Sequence, residues 1–267
     1  MVNNYFIIDA HCHIYPDKIA APAVKSTGDF YGLSTVGLGT TSDLLERGSN
    51  AGIDQYIIQS VATAPKQVES INHFIANSVQ TSGGKFTGLG TLHPDSTNLK
   101  SDIALIKELG LRGVKLHPDI QEFKIDDYRC LKIYELCEQE NLPILMHCGD
   151  SRKDFSNPNR LQPVMQIFTE LTVVGAHLGG WSVWEDALEK LQGLPNLYFD
   201  CCSCFPFMTP KKAREIIESY GVERVLFGTD YPIWDPEKEL KSFFSMGLSR
   251  EDNQKILSAN AKKIFID

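Results

Sequence analysis

Eight short apolar runs, each followed by a stretch that reads as helix, constrain this 267-residue chain more than any other feature. The first is Tyr5–Ile8, with Asp9 to His13 at its carboxyl end. The pattern recurs at Gln55–Val61, Phe86–Leu92, Arg112–His117, Leu142–His147, Leu171–His177, Asn196–Asp200 and Arg224–Asp230. Helices are predicted over Thr41–Asn50 (with Ser42 as its cap), Pro65–Gln80, Leu99–Leu109, Asp126–Glu140, Asn159–Glu170, Trp184–Leu191 and Pro210–Tyr220. Another is expected after Asp235, and Arg250–Ile264 closes the chain. Lys18–Thr40 is rich in Gly, Ala, Pro and Ser/Thr, lacks a period, and reads as a long loop and mobile lid over the first strand's mouth.

Parallel apolar strands need crossover helices and two covered faces, so this alternation predicts an α/β fold, a (β/α)8 barrel in one domain spanning 1–267. Such barrels take about 250 residues. A doubly wound open sheet is the rival, but it usually has fewer strands and a glycine-rich first turn, and no such turn follows the first run here.

A net charge of −8 argues against nucleic acid or an anionic membrane as partner and leaves a small-molecule substrate. No apolar run approaches the roughly 18 residues of a membrane span, and no basic region precedes an apolar core at the start; a cytoplasmic protein is expected, and a homo-oligomer stays open. Seven cysteines, three of them crowded at Cys201, Cys202 and Cys204, read as reduced thiols rather than a disulfide framework.

The chemistry-bearing residues gather at the strand ends. His11 and His13 are two apart, so both imidazoles leave the same face of an extended chain, an arrangement suited to zinc. Taken singly, each histidine reads as an ordinary turn or core residue. Six of the seven, His11, His13, His93, His117, His147 and His177, nevertheless end predicted strands, where barrels of this kind keep their active sites. Asp230 ends an apolar run in which a carboxylate needs a cation or metal, and it can ligate metal or act as a general base. Asp200 is a weaker candidate or a turn cap, and Asp9 is placed to orient a histidine. Lys115 faces the same way as His117. It either neutralises the site's carboxylates or, carbamylated, bridges two metals. Arg152 and Lys153 suit a carboxylate or phosphate, or are solvated loop charges. Trp181, Trp184, Phe205, Phe207, Tyr231 and Trp234 offer walls for an aromatic substrate, about half of them expected to be structural. His117, Arg152 and Trp181 are the expected substrate contacts.

The segments DAHCHI, GVKLHP, HLGG and FGTDYP, with His147, His177 and Asp230 at strand ends and the closing ILSANAKKIF, resemble the amidohydrolase superfamily. The resemblance is to its second amidohydrolase family, which includes aminocarboxymuconate-semialdehyde and resorcylate decarboxylases. It implies a divalent metal, usually zinc with manganese an alternative, held by His11, His13, His147 and Asp230. It also implies a catalytic His177 that binds a second ion or activates water. Lys115 resembles the carbamylated lysine of two-metal members, whereas decarboxylase members generally use one ion. Hydrolysis of an amide, lactone or ester, with Asp230 as base, ranks first. Metal-dependent decarboxylation of an aromatic or unsaturated acid is the alternative, and a non-catalytic metal-binding scaffold ranks last.

Overall fold

In a computed structural model, which describes residues 4–267, the eight predicted strand positions appear in order and all pair in parallel. They are β1 Ile8–His13, β2 Gln55–Gln59, β3 Phe86–Gly88 with β4 Gly90–Thr91, β5 Val114–Leu116, β6 Ile144–Met146, β7 Val173–Gly175, β8 Leu197–Asp200 and β9 Val225–Leu226. β3 and β4 are one strand position interrupted at Leu89. There Leu89 N–H donates to Ile58 O (2.9 Å) on one side, and Gly90 N–H donates to Gly113 O (2.9 Å) on the other. The ring closes between last and first strands through Ala10 N–H to Phe227 O (2.9 Å) and His13 N–H to Tyr231 O (2.7 Å). Closure leaves no open edge.

The strands are short because only their middles are shared with two neighbours; their ends bend away as loops that carry polar side chains. Ile8, Ala10, Ile57, Leu89, Leu145, Val174, Ala176 and Leu226 fill the barrel, with Ala261 and Phe265 in the same cluster. One layer nearer the carboxyl ends the filling turns polar. Val114 and Leu116 join the outer core, so Lys115 between them points inward, fully buried.

Helices cover the outside. Those over Trp184–Leu191 and Pro210–Tyr220 have the predicted bounds, the latter started by Thr209, which accepts from Lys212 N–H, with Pro210 in the first turn. Thr40, not Ser42, caps Thr41–Ala51, its hydroxyl accepting from Asp43 N–H at 3.3 Å. The closing helix is broken by a π turn over Lys255–Ala259. The main correction concerns Lys18–Thr40. Most of it is a 15-residue helix, α1, Asp17–Tyr31, which buries only Ala20, Val24 and Gly28. All seven cysteines are buried and free, so Cys201 and Cys204 form no bridge. No helix among the described residues is long and apolar enough to cross a membrane.

Glu239 follows the barrel's last strand and is 3% exposed, with Oε2 lacking a partner among the described residues. Burial first, then the charges of Asp230, Asp9 and Asp235, push its carboxyl up to about 8. A folded-state value above the unfolded one means that its contribution is present below the ordinary glutamate range and is lost as pH rises toward 8. Urea unfolding at pH 5 and pH 8 should therefore show Glu239→Gln gaining on wild type by roughly 2–4 kcal/mol over that interval. An unchanged difference between the two pH values would contradict this.

Candidate metal centre

The local cause of the site is a bulge in β1. Between the pairs Asp9↔Tyr56 and Cys12↔Ile58, β1 spends three steps where β2 spends two. The extra residue resets the alternation, so Ala10 fills the barrel while His11 and His13 both turn to its upper end. Gly228 makes room: a Cβ built there would lie 2.9 Å from the Cβ of His11.

His11 Nδ1–H donates to Asp200 Oδ2 at 2.8 Å, since a carboxylate only accepts. Its Nε2 lone pair then faces His13 Nε2 (3.1 Å), Lys115 Nζ (3.1 Å) and Asp230 Oδ1 (3.4 Å), and His13 Nε2 lies 3.7 Å from the same oxygen. His147 Nε2–H donates to Gly149 O (3.1 Å), turning its Nδ1 lone pair toward His177 Nε2 at 3.0 Å. His177 Nδ1–H in turn is spent on Cys202 O at 3.3 Å. At His147 and His177 two acceptor nitrogens thus face each other with no proton between them, while the His11 Nε2 lone pair already accepts a hydrogen bond from Lys115 Nζ. Lone pairs at that separation repel unless a cation neutralises them. A tetrahedral ion bound at about 2.0–2.1 Å holds its ligand atoms about 3.3–3.4 Å apart. The 3.1, 3.4 and 3.7 Å edges of the His11, His13, Asp230 triangle match that spacing, so the donor set fits a divalent metal.

Electrostatics agree. Burial pushes His13, His117 and His147 well below the ordinary histidine range, and His177 down to about 4, so these rings are neutral lone-pair donors at neutral pH. Burial also lowers Lys115, against the charges of Asp200 and Asp230. For Asp230 burial raises the carboxyl, but His11, His177, His13 and the Ser203 hydroxyl together outweigh it and the net shift is downward. That hydroxyl donates to Asp230 Oδ2 at 2.5 Å and receives Trp234 Nε1–H at 2.7 Å.

The expected residues divide accordingly. His11, His13, Lys115 and Asp230 come together, and His147 and His177 sit beside them, His177 Nδ1 lying 4.0 Å from Asp230 Oδ2. His93 stays apart, its Nδ1 accepting from Asp95 N–H in its own turn. Asp9 takes Thr229 N–H, the Thr229 hydroxyl and His11 N–H, so it fixes backbone rather than an imidazole. His117 stacks flat on His147, centroids 3.9 Å apart. Trp181 lines the cavity at the mouth with Tyr31, His147, His177, Ser203 and Asp230. Arg152 is bonded to buried Asp150 (2.9 and 2.7 Å) and lies outside that lining. Trp184 Nε1–H holds His177 O (3.0 Å), and Tyr231 is buried with its hydroxyl on Asp43 (2.7 Å), so both are structural. Phe207 packs edge-on against Trp181, and Phe205 lies against the core.

Sequence reasoning missed Cys202 as a neighbour of the centre. Its Sγ lies 3.2 Å from both His11 Nδ1 and His177 Nδ1 and 2.9 Å from Asp200 Oδ1. It also missed Asp119, a buried carboxylate 3.4 Å from His147 Nε2 that burial raises to about 6. Neither carries a local signal beyond residue type. A hollow of about 670 Å3 is an open groove between α1 and the 33–40 segment, lined by none of these residues.

A closed parallel barrel with imidazoles and a carboxylate converging at its carboxyl end defines the class: a metal-centre α/β barrel enzyme. The amidohydrolase family profile matches residues 8–265, and the chain belongs to that family, an enzyme group of the amidohydrolase superfamily. The fold is similar to an uncharacterised TIM-barrel protein from Bordetella bronchiseptica (TM-score 0.79, 22% identity, 97% of each chain covered). It is also similar to 5-carboxyvanillate decarboxylase from Sphingomonas paucimobilis (0.73, 15%, 98% of this chain and 99% of that one). A dihydroxybenzoic acid decarboxylase from a Polaromonas species, with bound manganese and the inhibitor 2-nitroresorcinol, is a third (0.74, 15%, 98% and 97%).

Gly228→Ala should push His11 off its line to Asp200, because a 2.9 Å contact between carbons cannot persist. Metal titration of the folded variant should show at least a tenfold weaker affinity, a magnitude on the order of the 1–3 kcal/mol of overpacking. Wild-type affinity in a folded variant would contradict the assignment of His11.

Proposed function

We propose that this chain is a metal-dependent, non-oxidative decarboxylase of a small aromatic or unsaturated carboxylic acid, acting as one catalytic unit over 1–267. The observation that carries it is the triangle of His11 Nε2, His13 Nε2 and Asp230 Oδ1 at 3.1–3.7 Å beside a wall of flat rings, Tyr31, Trp181 and His147. His11, His13, Asp230 and His147 would hold a divalent ion, zinc or manganese, which supplies positive charge to the substrate's oxygens. Likeness to decarboxylases supports ranking this reaction above the hydrolysis expected from sequence.

The chain's own groups supply the proton chemistry. Asp230, kept ionised and anchored by Ser203, accepts a proton from a substrate hydroxyl and returns it to the ring carbon that carries the carboxylate. The bond to the carboxylate then breaks, its electron pair restores the ring, and carbon dioxide leaves. His177, neutral and held by Cys202 O and Trp184, is placed to donate a hydrogen bond only after reorientation, so its part is to position His147 and the substrate. Lys115, 3.1 Å from His11 Nε2, favours a second reading. Carbamylated, it would hold a second ion, and hydrolysis would return to first place.

A panel of hydroxybenzoates, 5-carboxyvanillate, lactones and esters, assayed with zinc and manganese, tests the ranking. Metal-dependent carbon dioxide release from an aromatic acid is expected; hydrolysis of a lactone or ester without it would reverse the order. Double replacement of His11 and His13 by Ala should abolish tightly bound metal, and stoichiometric metal surviving dialysis would remove them from the ligand set. Asp230→Asn, reloaded with excess metal, should lose about 10²–10⁴-fold in turnover, as removal of an acid–base group does.

A further inference from the structure

The cavity among Tyr31, His147, His177, Trp181 and Asp230 has a volume of about 10 Å3. That is room for about one water, whereas small-molecule sites measure about 300–1,000 Å3. An aromatic acid cannot enter while Tyr31 sits where it does. Tyr31 ends α1, the helix that buries only three small residues, and Gly32 follows it at φ 66. A helix so lightly packed opens at low cost, and the glycine supplies a hinge. Its end is held from the barrel side, with Lys153 Nζ 4.6 Å from the Phe30 ring and two hydrogen bonds. Tyr31 meets His117 Nε2 at 2.7 Å, and Arg152 Nη1–H donates to Phe30 O at 3.0 Å with its guanidinium 5.5–5.6 Å from the rings of Phe30, Tyr31 and Trp181.

The direction of the Tyr31–His117 hydrogen bond follows from its neighbours. Ile120 N–H can only donate, and it meets His117 Nδ1 at 3.3 Å. A neutral His117 therefore carries its proton on Nε2 and gives it to the Tyr31 oxygen. The Tyr31 hydroxyl proton is left over, with no acceptor among the described residues, at the wall of a cavity where the proposed substrate's acid group belongs. We propose that Tyr31 is a specificity-determining residue that donates this proton in a hydrogen bond to an anionic oxygen of the substrate, and that the end of α1 swings at Gly32 to admit it. This rests on the aromatic-acid reading above.

The test uses metal-loaded protein, 2,6-dihydroxybenzoate as probe and neutral resorcinol as control, with affinity by calorimetry and association by stopped-flow tryptophan fluorescence. Tyr31→Phe keeps the ring and removes the donor. It should weaken 2,6-dihydroxybenzoate about 10- to 100-fold, the range of a hydrogen bond to a charged group, with resorcinol and metal content unchanged. The wild-type association rate should level off as probe concentration rises, and Arg152→Ala should lift that ceiling. Equal affinity in wild type and Tyr31→Phe overturns the donor role, as does equal weakening of probe and control. A rate that stays linear in probe overturns the swing of α1. No binding of either compound by wild type overturns the aromatic-acid reading itself, and the assignment falls with it.

Discussion

Asp200 is the group on which the geometry of the candidate site depends, because one fully buried carboxylate satisfies donors from three places at once. Oδ2 takes His11 Nδ1–H at 2.8 Å, and Oδ1 takes His177 N–H at 2.9 Å and the Cys202 thiol at 2.9 Å. A carboxylate without exposure to water is tolerated only when it is so bonded, and these contacts hold its pKa down against the burial that would raise it. The consequence reaches outward. Fixing the proton of His11 on Nδ1 is what leaves Nε2 as a lone pair aimed at His13 and Asp230. Holding the backbone of His177 sets the facing pair with His147. The ligand pattern is therefore a property of hydrogen bonds one layer behind it.

That layer explains what was legible in the sequence and what was not. The strand–helix alternation was readable because strands buried on both faces are uniformly apolar and their polar ends stand out. It located His11, His13, Lys115, His147, His177 and Asp230, which the fold brings to one end. Asp200 was visible only as a weak candidate, since nothing in NLYFD says whether its carboxylate caps a turn or crosses the barrel to a residue 189 positions away. The β1 bulge has no residue signature, yet without it Ala10 and His11 would face opposite ways. The helix α1 was hidden for a physical reason. Its buried stripe, Ala20, Val24 and Gly28, is made of small residues, and Pro22 lies within the helix, so the segment's composition reads as loop.

Backbone conformation adds a cost that the chain accepts at these ends. His177, Ser203 and Asp230 have φ of 60, 55 and 58, in the left-handed region that side chains other than glycine and asparagine seldom adopt. All three line the cavity. Each such residue costs on the order of 1–3 kcal/mol unless its surroundings hold it. Here they do: His177 O receives Trp184 Nε1–H, Ser203 Oγ receives Trp234 Nε1–H, and Asp230 O receives Ile233 N–H at 2.9 Å. The two tryptophans that looked like substrate walls are thus braces, spending their single donor on strained site residues.

The flat stack of His117 on His147 separates the residues that can hold a metal from those that cannot. His117, Asp119 and His147 bring ligand atoms within 4.8 Å of one another, which by distance alone looks like another cation site. An imidazole, however, offers its lone pair in the ring plane. Two rings 3.9 Å apart and inclined by 8° have parallel planes, so no one ion lies in both. Both nitrogens of His117 are also engaged, Nδ1 by Ile120 N–H and Nε2 by Tyr31. His147 differs because its Nε2 is occupied by Gly149 O while Nδ1 is free toward His177. The two histidines end neighbouring strands, yet their hydrogen bonds leave one with a free lone pair toward His177 and tie the other to the end of α1.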